Sequence, residues 1–258
     1  MAATTRSPLK DKPLRLPGQS LEEERLSLWD DKIEMPLLMA LFYVLLAGLE
    51  WWRYFSDMKP HPIIFSLMAA GGAAFAAWRF FRFRPRMRSL RLGIDGEKAV
   101  GQFLERLRDR GYHVFHDVVA PGFNVDHVLV GSAGVFAVET KTWSKPLYTD
   151  ARIKVEGDRL LVAGQEPDRN PIVQARAQAA WLKTLLAEST GRAHDVFPVV
   201  LFPGWFVEPS QGPRPVWVLE PKALPAFLER EPVRLSTEEA SLAAFHLSRF
   251  IRSAERQR

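Results

Sequence analysis

The chain of 258 residues contains no cysteine, which removes disulfides and thiolate zinc sites and fits a reducing compartment. Its six histidines are scattered through the sequence. Neither a Gly-x-x-x-x-Gly-Lys-[Ser/Thr] nor a Gly-x-Gly-x-x-Gly run occurs, which disfavours NTP and dinucleotide chemistry. A uniform charge excess is also missing. The net charge is +5, but residues 1–91 hold 14 Lys+Arg against 9 Asp+Glu, and the remainder holds 21 of each. The basicity that would invite a nucleic-acid reading therefore lies outside the region from Leu92 onward. It concentrates in Arg79, Arg82, Arg84, Arg86, Arg88 and Arg91, with no acidic residue among them. Apolar residues make up 47% of the chain, enough to bury a core.

Two stretches lack charge altogether, Met35 to Leu49 and Pro62 to Trp78. Each is slightly shorter than the roughly 20 apolar residues a spanning helix needs. The first must extend through Trp51, Trp52, Tyr54 and Phe55, aromatics suited to a headgroup belt. A short polar connection with Arg53, Asp57 and Lys59 makes an antiparallel pair over residues 35–80 the simplest object, with helices at about 35–55 and 61–80. Ala69, Ala73 and Ala77 recur at spacing four, with Gly72 and Ala76 alongside, so small residues offer a face for close helix approach.

The Arg-rich flank after the second stretch places both termini on the cytoplasmic side, in what reads as a bacterial inner membrane. Residues 1–34 read as a flexible polar tail with room for a short helix and 81–92 as a basic juxtamembrane linker. The Arg cluster is better matched to anionic lipid headgroups than to nucleic acid. A soluble helical hairpin buried in a core is the alternative for the two apolar stretches.

From Gly93 the pattern becomes α/β. Val100, Phe103, Leu104 and Leu107 recur at helical spacing, predicting a helix over 95–110 that stops at Gly111. Tyr112 to Val119, Val125 to Val130 and Val135 to Lys141 are β-rich runs bounded by Pro121-Gly122 and Gly131-Ser132-Ala133-Gly134. A hairpin at Ile153 to Val162, a helix opened by Asn170-Pro171, strands near Val196 to Phe202 and Val216 to Leu219, and a closing helix from Thr237 complete a mixed sheet flanked by helices.

The tight Gly-Ser-Ala-Gly turn fixes a register. With Ser132 and Ala133 in the loop, Asp126 falls opposite Glu139, and Lys141 shares their face because strand side chains alternate with period two. Like charges placed opposite one another are destabilising unless compensated, and a divalent cation would compensate. Mg²⁺ is commonly held by one or two carboxylates while it keeps waters and phosphate oxygens. Asp126 and Glu139, with the Thr140 carbonyl, are thus candidate ligands for Mg²⁺ or Mn²⁺. Lys141 is a candidate to orient the attacking water or to offset charge developing on a phosphate. An ordinary ion pair between Lys141 and one carboxylate is the plain alternative. His127, next to Asp126, should point to the opposite face as a structural residue. Trp143 and Lys145 are read either as nucleic-acid contacts or as edge packing.

The runs Gly93-Ile-Asp-Gly-Glu97, Phe123-Asn-Val-Asp126-His127-Val-Leu-Val, Gly134-Val-Phe-Ala-Val-Glu139-Thr-Lys141 and Asn170-Pro171-Ile-Val-Gln174 resemble the nuclease-related (NERD) domain of the PD-(D/E)XK nuclease superfamily. The resemblance covers about residues 93–205 and implies a restriction-endonuclease-like αβββαβ core. It also implies a nuclease acting on DNA or RNA, in which Asp126, Glu139 and Lys141 match the catalytic signature, Glu97 the first-helix acid and Gln174 a supporting polar residue. Residues 206–258 read as an extension. The competing expectations are a silent scaffold on a nuclease fold, binding nucleic acid or protein, and a lipid-surface protein whose Arg cluster is the working element.

Overall fold

The computed structural model describes residues 13–56, 59–145, 151–209 and 215–257. It divides into two compact units, Ser20–Leu92 and a second made of Met1–Gln19 with Gly93–Arg258.

In the first unit, α1 (Gln19–Trp29) passes through a π-helical turn, Asp30–Glu34, into α2 (Met35–Phe55), and α3 begins at Pro62. Both long helices have the length and apolarity to cross a membrane. Many of their large apolar side chains are exposed, among them Phe55 at 79%, Ile63 at 70% and Leu67 at 69%. Glu50, the one acid within α2, is buried; it pairs with Arg53 and accepts the His61 backbone N–H at 2.9 Å. The small-residue face is formed by Ala69, Gly72 and Ala76, while Ala73 and Ala77 are exposed. At 3.6 residues per turn, steps of three and four stay on one face, whereas repeated steps of four drift off it. A Cβ at Gly72 would lie 3.1 Å from the Tyr43 ring and 3.5 Å from the Ala40 Cα, so the glycine permits that approach.

Two sequence expectations are corrected here. The linker expected at 81–92 is helical, because α3 runs unbroken from Pro62 to Glu105. Arg, Phe, Met and Leu all tolerate helix, and the single N–H missing at Pro85 does not end it. The tail over 1–34 carries the short helix its sequence allows, α1, but this runs on through Asp30–Glu34 into α2 without a flexible break; residues 1–12 lie outside the described residues, as does Asp57 of the connecting loop.

The second unit is built on a five-stranded mixed sheet of order β1-β2-β3-β6-β8. Its strands are β1 (His113–Ala120), β2 (Phe123–Gly131), β3 (Gly134–Thr140), β6 (Val196–Leu201) and β8 (Trp217–Leu219). The first three are antiparallel neighbours, and β3, β6 and β8 run parallel. A small second sheet joins β4 (Arg152–Glu156), β5 (Arg159–Val162) and β7 (Phe206–Val207).

Helix α4 (Pro171–Thr190) starts as its sequence predicts, with Asn170 accepting the Ile172 N–H at 2.9 Å and Pro171 in the first turn. It packs with α6 (Thr237–Gln257) on one sheet face through Leu182, Leu186, Ala243 and Leu247. The end of α3, with α5 (Leu224–Arg230), covers the other face through Val100, Leu104, Leu224 and Leu228. The stretch expected to be an extension thus supplies β8, α5 and α6 to the same core, which therefore does not end near residue 205.

Candidate active site

The β2–β3 turn falls at Ser132 and Ala133, and the ladder pairs Gly131 with Gly134 through His127 with Val138. One step further, where Asp126 and Glu139 would face each other, the pairing stops. The Asp126 carboxylate instead accepts the Thr140 backbone N–H at 2.7 Å, so the acids are not a ladder pair.

The same residue interrupts the other side of β2. Strands β1 and β2 pair His116 with His127 and Val118 with Val125, but Asp117 and Asp126 between them do not pair. Asp117 has φ of 49°, an uncommon left-handed conformation for a residue in a strand. Alternation slips there: Phe115 and Val118, three residues apart, both reach the α4 and α6 side, as do Val125 and Val128. The break frees two carboxylates from the sheet's two-residue rhythm.

Around it the groups converge. Glu139, only 1% exposed, pairs with Lys141 and accepts from the Gln178 side-chain amide, which also donates to the Asn124 carbonyl at 2.9 Å. Glu97, on α3 and 7% exposed, accepts from the Gly18 backbone N–H. Its pKa is pushed up to about 8, first by burial and then by the charges of Asp117 and Glu139. Burial, with Glu139 and Glu97 nearby, raises Asp126 well above the usual carboxylate range. Burial alone would lower Lys141, but Glu139 and the other acids outweigh it and raise its pKa, keeping it charged. Gly96 is needed beside Glu97, because a Cβ there would collide with the Thr142 side chain.

Sequence reasoning therefore finds Glu97, Asp126, Glu139 and Lys141, which the fold gathers. Gln174 is partly buried one turn earlier on α4, and among the described residues none of the site's hydrogen bonds involves its side chain; the glutamine that reaches Glu139 is Gln178. The two share a helix face at spacing four, so periodicity alone did not choose between them. Asp117 was also missed, although a lone acid in the apolar run His-Val-Phe-His-Asp-Val-Val is a signal.

His127 is fully buried on the other face, its Nδ1 2.9 Å from His116 Nδ1, and His116 Nε2 is 2.9 Å from Glu105. Burial lowers both pKa values, most strongly that of His127, which makes this a neutral structural pair. Trp143 packs on Phe202 at 5.3 Å between ring centroids, and its carbonyl accepts from Trp205, as edge packing predicts. Lys145 lies 6.0 Å from the Trp205 ring centroid.

Among the described residues no group of three or more His, Asp or Glu stands at metal-ligand spacing. The donor set nonetheless suits a hard cation, since several acids crowd together against their mutual repulsion. In addition, the Gln178 Oε1 is buried without a hydrogen-bond partner, while its amide nitrogen donates to Glu139.

An αβββαβ core with acids and a lysine where two strands part defines a nuclease-like domain. Residues 92–203 match the nuclease-related domain (NERD) family. A stretch of 61 residues is 34% identical to an uncharacterized protein of Bacillus anthracis, covering 22% of this chain and 29% of that protein. The chain thus spans under a third of that relative's length. No solved structure matches it.

Proposed function

We propose that the chain is a membrane-anchored, metal-dependent nuclease that hydrolyses phosphodiester bonds of DNA or RNA. The observation that carries the reading is the convergence of Glu97, Asp126, Glu139 and Lys141 where the β2–β3 ladder stops. Asp126 and Glu139, with the Thr140 carbonyl, would hold Mg²⁺ or Mn²⁺. When bound, the ion polarises the phosphate and makes a coordinated water a stronger nucleophile.

The chain's own residues do the rest. Lys141, held cationic, orients that water and offsets charge developing on the phosphate. Gln178 fixes Glu139 from α4, and Glu97 completes the acid set in its protonated or ionised form according to the charge around it. Lys145, with Arg152 and Lys154 of β4, would offer phosphate contacts on a domain with no net positive charge.

Two helices of spanning length, joined by a short connection, support anchoring. An even number of crossings leaves the N-terminal residues and the nuclease domain on one side. This agrees with Arg15 being buried against that domain, and the Arg-rich flank favours the cytoplasm as that side. Anionic headgroups would meet Arg82, Arg84, Arg88 and Arg91; Arg79 and Arg86 already engage the Lys32 carbonyl and Glu24.

A catalytically silent scaffold is the second reading, favoured by the closed Lys141–Glu139 ion pair. The test is cleavage of DNA and RNA by the full chain in detergent micelles with Mg²⁺ or Mn²⁺. Product is expected with wild type and at least a hundredfold less with Lys141→Ala. Folded wild-type protein that cuts neither polymer with either metal would leave the scaffold reading standing.

A further inference from the structure

The segment Leu14–Gly18, just before α1, lies against the candidate site. Arg15 is only 3% exposed, and its guanidinium bridges Asp117, at 2.7 Å, and Glu255 of α6. Leu14 packs against the core of the α4 and α6 face. Gly101 of α3 has no room for a Cβ because the Pro17 ring occupies it. Gly18, at φ of 73°, donates its N–H to Glu97, and a Cβ there would sit 3.7 Å from the Glu97 Cβ.

These contacts bear on the acids directly. Asp117 stands at the register position opposite Asp126, and its charge acts on Glu97. A carboxylate so placed would add a further negative charge to a crowded cluster, and in a poorly hydrated site that charge is felt strongly. Arg15, paired with Asp117 at 2.7 Å, offsets it.

We propose that Leu14–Gly18 is a strap that completes the active centre, with Arg15 a positioning residue balancing Asp117 so that the acid cluster holds its geometry and net charge. The inference rests on the nuclease reading of the same acids. A domain cut at residue 92 would lack the strap.

The test compares wild type, Arg15→Gln, Asp117→Asn and the double variant, each as the full chain in detergent. The readouts are unfolding midpoint, Mn²⁺ affinity by EPR titration, and kcat and KM for Mn²⁺-dependent cleavage of DNA and RNA. Loss of Arg15 alone leaves an extra negative charge and should tighten Mn²⁺ binding at least threefold while kcat falls at least tenfold with KM within twofold. Loss of the Asp117 charge alone should weaken Mn²⁺ binding at least threefold, and the double variant should return to within twofold of wild type. Should Arg15→Gln fail to fold, Asp117→Asn against the double variant still decides: affinities at least threefold apart support the strap, and smaller differences overturn it.

A purely structural Arg15 would move midpoints and leave the affinities of the folded variants alike, which overturns the proposal. The charge pattern in Mn²⁺ affinity without wild-type cleavage supports the strap and sinks the nuclease reading. Cleavage with equal affinities does the reverse, and wild type that binds no Mn²⁺ and cuts neither polymer with Mg²⁺ or Mn²⁺ removes both.

Discussion

Replacing Glu97 by Gln should make the protein more stable at alkaline pH and remove part of its pH dependence. The folded pKa of Glu97 is about 8 against an ordinary value of 4.5. A carboxyl raised on folding contributes its full stability below the unfolded value and loses it as pH climbs through the folded one. Between pH 4.5 and about 8 the wild type therefore gives up as much as about 5 kcal/mol, at about 1.4 kcal/mol per pH unit. Local relaxation and water entry should reduce the measured loss to about 2–4 kcal/mol. Glutamine keeps the shape and a donor without the charge.

The assay is urea unfolding of the full chain in detergent with EDTA, followed by tryptophan fluorescence at about pH 5, 7 and 9, for wild type and Glu97→Gln. The difference between them should swing in favour of the variant by about 2–4 kcal/mol across that range. Excess Mn²⁺ should shrink the swing, because a bound cation favours the ionised carboxyl. A difference constant to within about 0.5 kcal/mol from pH 5 to 9 would refute the placement of Glu97 in a buried acid cluster.

Three further outcomes follow from the same geometry. Gln178→Ala strips Glu139 and the Asn124 carbonyl of a buried donor and should cost about 1–3 kcal/mol with at least a tenfold fall in cleavage. Gln174→Ala, one turn away, should stay within about 0.5 kcal/mol and near wild-type activity, both read by urea unfolding and a nicking assay. Gly96→Ala drives a methyl into Thr142 and should destabilise by about 1–3 kcal/mol, with loss of cleavage exceeding what the unfolded fraction explains; normal kinetics would show that the Glu97 turn has slack.

Much of this protein is written locally. Charge-free stretches mark α2 and the first part of α3, β-rich runs bounded by turn residues mark β1 to β3, and Asn170-Pro171 opens α4, because each depends on residues within a few positions of one another. The β2–β3 register is equally local, since a tight turn leaves no freedom to slip. From that register came the neighbourhood of Asp126, Glu139 and Lys141.

Tertiary structure decided the remainder. Whether Arg82 to Arg91 continues a helix or ends one is settled by what lies on either side, and local propensity allows both. The choice of Gln178 over Gln174 follows from how α4 lies on the sheet, a rotation the sequence of one helix cannot report. The interrupted pairing at Asp117 and Asp126 is a break between neighbouring strands, and the burial of Arg15 between Asp117 and Glu255 joins residues over 100 positions apart. Sequence fixes which side chains carry charge; only packing decides which charges must share a poorly hydrated space, and that sharing is what turns separate acids into one site.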